Sequence, residues 1–344
     1  MRIGLAGYKG SGKSTLFEWL TGVKPDPSLS HTTQIASAPV PDPRLEALRQ
    51  VYHPKKVTQA ALEIVDTPGL SRSHEGNAAR LALIREAGCL VLVVAAFTKS
   101  DPAAELRSFE EDLLLADMEI VAGRIGRVEE SLKKPLPRPE REHLLHEEQV
   151  LKRVLAAMES GRPLKPADMT EEQLRVTRPF RLMTEKPRMV VVNTADDEAH
   201  PERFREGMPP GVPVVAFPVG LEVELARMSP EDRAEFEKEM GLGGTDRDHI
   251  LRTIMDVSGQ MLFFTAGEKE VRSWMIAKGS TAVEAAAAIH TDLARGFIRA
   301  EVMTCADLVR LGSERDVKAH HLVRQEPKDY VVQDDDILFI RFSV

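Results

Sequence analysis

Apolar and polar positions follow three successive patterns along this chain. In the first third, short apolar runs alternate with amphipathic stretches: Arg2 to Ala6, Leu62 to Val65 and Cys89 to Val94. Met189 to Val192 and Val214 to Phe217 repeat that pattern further on. Runs that are apolar at nearly every position predict parallel strands covered on both faces. The expected fold class is therefore α/β, a doubly wound, mainly parallel sheet with ligands at the carboxyl ends of its strands. The second pattern is helical. Leu114, Met118, Val121, Ile125, Val128 and Leu132 are spaced four and three apart, a heptad seam on one long helix. Lys133 to Pro139 breaks it, and a second helix carries Leu144, Leu151, Leu155 and Met158 until Gly161-Arg162-Pro163. Two such helices joined by a proline-rich turn predict an antiparallel hairpin. A charged helix, Glu231 to Met240, is expected to stop at Gly241. The third pattern begins near Met261. Strands at Leu262 to Thr265 and Glu270 to Ile276, a helix at Thr281 to His290, and late strands at Tyr330 to Val332 and Ile337 to Phe342 predict a small α+β module.

Candidate chemistry sits where the strands end. After Ala6 comes Gly7-Tyr8-Lys9-Gly10-Ser11-Gly12-Lys13-Ser14-Thr15, which is G-x-x-x-x-G-K-[ST] between a strand and a helix. Such a loop turns backbone N–H groups and a helix N-terminus toward phosphates. Lys9, Gly10, Ser11, Gly12, Lys13, Ser14 and Thr15 are the expected phosphate-binding residues, with the Ser14 hydroxyl on Mg²⁺. The loop by itself suits a switch NTPase or a small-molecule kinase. The kinase reading is weakened because no substrate acid–base pair is evident. The second strand ends in Asp66-Thr67-Pro68-Gly69: Asp66 would hold the Mg²⁺ shell, and Gly69 would offer an N–H to the terminal phosphate. The strand ending at Asn193 leads into Asn193-Thr194-Ala195-Asp196, an N-x-x-D whose Asp can accept two hydrogen bonds from guanine. Asn193, Asp196 and Val219 are the expected base-binding residues. Thr32 or Thr33, in Ser30-His31-Thr32-Thr33-Gln34, would close over the metal.

Bulk properties narrow the class. The chain has 344 residues and a formal net charge of −8, which argues against a wholly basic nucleic-acid binder. Its two cysteines make no disulfide framework. No apolar run reaches membrane-spanning length, and glycines and Lys9 cut short the first one, so no signal peptide is expected. The expectation is a cytoplasmic monomer with no membrane association.

The carboxyl-terminal third carries the most specific likeness to a known family. Phe263-Phe264-Thr265-Ala266-Gly267, Lys269-Glu270-Val271-Arg272, Ile289-His290-Thr291-Asp292, Gly296 to Val302 and Lys328 to Asp334 resemble the TGS domain of YchF-type GTPases, also called Obg-like ATPases. Pro39 to Leu45 and Leu114 to Glu119 resemble further family segments. The resemblance implies a P-loop GTPase-like domain (residues 1–98 and 187–260), an inserted helical hairpin or coiled coil (99–186) and a ubiquitin-like β-grasp TGS domain (261–344). It implies binding and slow hydrolysis of GTP or ATP with Mg²⁺. It also implies a switch role on the ribosome or RNA, through the TGS and helical domains, in translation or stress control.

Several positions depart from the family pattern. The phosphate loop has Gly10-Ser11-Gly12 where the family has N-x-G, and Asp66-Thr67-Pro68-Gly69 replaces D-I-A-G. Asp196 replaces the family Glu associated with ATP, which leans the chemistry toward GTP, although Thr194 lacks the usual Lys and Pro218-Val219-Gly220 replaces the usual base loop. Leu70 stands where a water-positioning Gln would be. The loop from Phe97 to Pro102 is short and has no His, and His74 is the remaining candidate catalytic residue. The alternative to a switch enzyme is a nucleotide-sensing scaffold with little or no hydrolysis.

Overall fold

The computed structural model describes residues 1–98, 101–161, 169–198, 200–240 and 245–343. The helix stop expected at Gly241, the Arg162-Pro163 pair and the middle of the Phe97 to Pro102 loop lie outside them. The chain forms two compact units: residues 1–36 with 64–245, and residues 37–63 with 246–344.

One sheet contains β1 (Arg2–Ala6), β2 (Gln34–Pro39), β4 (Ala61–Asp66), β5 (Cys89–Ala95), β6 (Arg188–Asn193) and β7 (Val214–Phe217), with β3 (Val57–Thr58) belonging elsewhere. Their order in the sheet is β2-β4-β1-β5-β6-β7. β1 runs parallel to β5, β5 to β6, and β6 to β7. All seven residues of β5 are buried, as a strand covered on both faces requires. Chain order reverses direction beside β1, so the crevice outside its carboxyl end is the topological switch point where such sheets take ligands.

The helices follow from local sequence. α1 (Lys13–Thr21) starts at Gly12 and buries Leu16, Phe17, Trp19 and Leu20. Its Trp19 packs on Phe217 at 4.9 Å between ring centroids. α2 (Pro43–Tyr52) is capped by Asp42, whose side chain accepts from the Arg44 N–H at 2.8 Å, with Pro43 in the first turn. α3 (Asn77–Arg85) and the 31-residue α4 (Pro102–Leu132) cover one sheet face. There Ile84, Leu106, Phe109 and Leu113 join Leu90, Leu92, Val94, Val190 and Val192 in one core.

α4 carries two apolar seams. Its first half packs on the sheet. Its second half offers Val121 and Ile125 to Leu151, Val154 and Met158 of α5 (Arg138–Glu159). The expected antiparallel hairpin is present, turning at Lys133 to Pro137. Val150 and Val154 are buried on α5 beside the predicted Leu151 and Met158. Arg124 donates twice to Glu147 across the hairpin, both at 2.8 Å.

The second unit contains β3, β8 (Gln260–Thr265), β9 (Val271–Ala277), β10 (Phe297–Thr304), β11 (Arg324–Glu326) and β12 (Asp336–Phe342). The sheet order is β11-β10-β12-β8-β9-β3. β8 and β9 form the expected hairpin, while β12 lies parallel to β8. An antiparallel hairpin whose first strand pairs in parallel with the last is the β-grasp arrangement. Residues 37–63, read above as part of the nucleotide domain, fall in this unit, where Leu45 and Leu48 pack with Leu262 and Phe264. Tyr330 to Val332 is not a strand: it makes a single bridge, Val331 to Thr281. The segment instead wraps the buried Asp336, which accepts from Tyr330 Oη and the Gln333 N–H at 2.8 Å each.

One buried carboxylate joins α4 to the sheet side of the first unit. Asp117 is fully buried, pairs with Arg85, and accepts the Thr184 N–H and Oγ1–H at 2.9 Å each. Asp117→Ala strands Arg85 and two buried donors, so it is expected to cost about 3–5 kcal/mol. A urea titration of the full chain followed by far-ultraviolet circular dichroism checks this; a midpoint unmoved from wild type would contradict it.

Candidate nucleotide site

The cavity outside β1 and β4 has a volume of about 500 Å³. Lys9, Gly10, Lys13, Ser14, Thr32, Asp66 and Gly69 line it, together with Asp26, His31 and Arg80. These ten come from four separated stretches of sequence that the sheet brings to one place.

The phosphate loop has its shape for steric reasons. Gly12 has φ +99°, and a Cβ there would lie 2.2 Å from Asn193 Nδ2. Only glycine allows both that backbone and that approach. Asn193 is the brace behind the loop: its Nδ2 donates to the Ser11 carbonyl at 3.2 Å, and its Oδ1 accepts the Val219 N–H at 3.1 Å. Gly69 is pressed against the same loop, since a Cβ on it would lie 2.7 Å from Lys13 Nζ. Two backbone hydrogen bonds hold that register, Leu70 N–H to the Gly7 carbonyl at 3.1 Å and Lys9 N–H to the Leu70 carbonyl at 2.9 Å.

Charge is buried here. Lys13 is 5% exposed, and its ammonium donates to the Tyr8 carbonyl at 2.8 Å. Burial lowers its pKa to about 8, against the pull of Asp66 and Glu105. Asp66 is 7% exposed and accepts the Ser14 hydroxyl at 2.6 Å on Oδ2. Burial pushes its carboxyl up, while Ser14 and Lys13 pull it back. Its Oδ1 has no hydrogen-bond partner among the described residues, and neither does the buried Ser11 Oγ. A buried carboxylate oxygen without a partner is costly unless a ligand satisfies it. Mg²⁺ suits this donor set, because it takes hard oxygens, one or two from protein and the rest from phosphate and water.

The remaining candidates are placed as follows. The hydroxyl of exposed Thr32 donates to the Leu29 carbonyl at 3.0 Å at the cavity edge; the half-buried Thr33 is not among the lining residues. Thr15 is in the first turn of α1. Asp196 is exposed just past β6, and Val219 is buried at the start of α6 (Val219–Leu225). Leu70 is fully buried in the core with Tyr8 and Phe109. His74 does not line the cavity: its side chain is 71% exposed, and Nδ1 lies 3.5 Å from Asp112.

Asp26 and Arg80 line the cavity without belonging to any motif named above, and Gln34 has a role there that its motif did not assign. Asp26 caps the short turn Pro27–Leu29, and an Asp-Pro pair is a recognisable signal for such a cap. Gln34 holds Asp26 through 2.7 and 3.0 Å backbone contacts. Arg80 has no sequence signal; its place is decided by the fold of the loop before α3.

The fold and this cavity define a P-loop NTPase of the GTPase type. The 50S ribosome-binding GTPase family matches residues 2–122, and the YchF GTPase C-terminal family, described as a protein of unknown function, matches residues 261–343. The chain is 32% identical to the Bacillus subtilis "Ribosome-binding ATPase YchF", covering 99% of both sequences. It is 34% identical to the rice (Oryza sativa subsp. japonica) "Obg-like ATPase 1", covering all of this chain and 92% of that one. The solved structure of the Schizosaccharomyces pombe YchF GTPase superposes with a TM-score of 0.86 at 25% identity, over 99% of this chain and 97% of that one. The chain belongs to the YchF family.

Lys13→Met tests what the buried ammonium is for. Removing a buried charge is expected to leave nucleotide-free stability within about 1 kcal/mol of wild type or to raise it. The rise in melting temperature that nucleotide gives the wild type should be lost. Thermal scans with and without nucleotide read both; a sharp drop in nucleotide-free stability would contradict the assignment.

Proposed function

We propose that this protein binds a purine nucleoside triphosphate with Mg²⁺ and hydrolyses it slowly. Nucleotide state then orders the segments around Thr32 and Gly69 and sets affinity for the ribosome. The observation that carries the reading is the hydrogen bond from the Ser14 hydroxyl to the buried Asp66, whose Oδ1 has no partner among the described residues, beside the buried Lys13. The names of the bacterial relatives, which carry ribosome binding and ATPase activity, support the partner and the reaction.

In this reading the α1 N-terminus and the backbone of Gly10 to Ser14 hold the phosphate chain. Lys13 contacts its β and γ groups, and Gly69 faces the terminal one. Ser14 and Asp66 hold the metal, directly or through water, with Thr32 rather than Thr33 closing over it; Mg²⁺ supplies charge neutralisation at the β and γ oxygens. Asn193 braces the loop from behind, and Asp196 is the group that would select guanine, by accepting two of its N–H donors. Residues 1–98 and 187–260 would act as the nucleotide domain, 99–186 as the inserted hairpin, and 261–344 as the TGS module, with the 37–63 segment packed in the same unit as TGS. The hairpin and TGS module would meet ribosomal RNA. Among the described residues no helix is long and apolar enough to cross a membrane, and the proposed site of action is the cytoplasm, as a monomer.

A second reading, a nucleotide sensor with little hydrolysis, is favoured by one observation. Leu70 is packed into the core and His74 faces Asp112, so neither stands at the cavity to orient water.

Titration with labelled GTP and ATP plus Mg²⁺ tests the binding step. Asp66→Ala is expected to weaken triphosphate binding about tenfold to a hundredfold with Mg²⁺ and much less in EDTA. Asp196→Glu should weaken GTP and leave ATP unchanged if Asp196 reads the base. Turnover measured with and without purified ribosomes then separates the two readings: stimulation supports the switch, and none at all supports the sensor. Failure of the wild type to bind either nucleotide would remove both.

A further inference from the structure

Arg80 is the arginine at the cavity, beside Lys9 and Lys13. It lines the space with Lys9, Lys13 and Gly69. Among the described residues it makes no ion pair: Nη1 donates to the Glu75 carbonyl and to Asn77 Oδ1, both at 3.2 Å, and both acceptors are neutral. Arg72, eight positions earlier, shows the contrast, because it is neutralised by Glu105 at 2.5 Å and lies over the Tyr8 ring. A guanidinium held by neutral acceptors exchanges them for phosphate oxygens at little cost, since charge-assisted hydrogen bonds are the stronger kind.

The loop that carries Arg80 does not depend on it. Asn77 is buried, and its side-chain amide closes residues 71–77 into a ring: Oδ1 accepts the Ser71 N–H at 2.8 Å and Nδ2 donates to the Ser71 carbonyl at 2.9 Å. Arg80 can therefore leave Asn77 without opening the turn. It also stands on the segment that follows Gly69, the side of the cavity assigned above to the terminal phosphate.

We propose that Arg80 contacts the terminal phosphate and makes the site prefer a nucleoside triphosphate to a diphosphate. This rests on the nucleotide reading of the cavity. The forked guanidinium can meet two oxygens of one phosphate, which a lysine cannot. Contact with Arg80 also gives the loop 71–77 and α3 a direct report of whether that phosphate is present.

The test is the ratio of triphosphate to diphosphate affinity, measured with fluorescent ATP, ADP, GTP and GDP plus Mg²⁺ on the full chain. Wild type, Arg80→Ala, Arg80→Gln and Arg80→Lys are compared, with circular dichroism and melting temperature as folding controls. Arg80→Ala and Arg80→Gln are expected to weaken the triphosphate about tenfold and leave the diphosphate within about twofold, with Arg80→Lys in between. Equal losses for both nucleotides, or no loss for either, would overturn the proposal while wild-type binding keeps the nucleotide reading intact. A wild type that binds no nucleotide removes the nucleotide reading and Arg80's role with it.

Discussion

Lys13 and Asp66 are almost out of water at the carboxyl ends of β1 and β4, and each is only partly satisfied by the protein. The ammonium has a backbone carbonyl, and the carboxylate has one serine hydroxyl and a second oxygen with no partner among the described residues. Burying two such groups opposes folding, and burial shifts both toward their neutral forms. The sheet offsets that cost. β1, β5 and β6 are buried along nearly their whole length, and the anchors around the site are hydrogen bonds between elements far apart in sequence. Asn193 braces the loop from β6, and Thr67 Oγ1 ties β4 to the Leu5 carbonyl at 2.6 Å. Strain and unsatisfied charge of this kind persist only where surrounding structure holds them.

α4 carries that support outward. Tyr8, inside the phosphate loop, donates its hydroxyl to Asp112 at 2.9 Å and meets Phe109 edge-on at 5.3 Å. Glu105 accepts the Ala95 N–H at the end of β5 at 3.2 Å and pairs with Arg72 from the loop after Gly69. The same helix then turns its second seam to α5. One rigid element thus touches the phosphate loop, the segment after Gly69 and the distal hairpin. Asp117, midway along it, holds its register against Arg85 and Thr184.

Much of this was legible in the residues. The strand β5 announces itself by seven apolar positions, and the phosphate loop by its glycines and Lys13. The heptad from Leu114 to Leu132 marks α4, though its periodicity does not say that Leu106, Phe109 and Leu113 pack on a sheet while Val121 and Ile125 pack on a helix. Tyr330 to Val332 reads as a strand by composition, yet a buried Asp336 takes its hydrogen bonds. Pairing between β3 and β9 joins residues more than two hundred positions apart, and a two-residue strand carries no pattern of its own.

The sequence by itself determined the fold class, the family and most of the short segments that line the cavity, because those follow from local periodicity and from glycines that only one backbone shape can use. Tertiary structure alone decided that Asn193 is a brace, that Leu70 belongs to the core, that His74 turns to Asp112 and that Arg80 lines the cavity with no counter-ion among the described residues. Those outcomes depend on which distant side chain reaches a hydrogen-bonding group first, and no spacing along the chain encodes that distance.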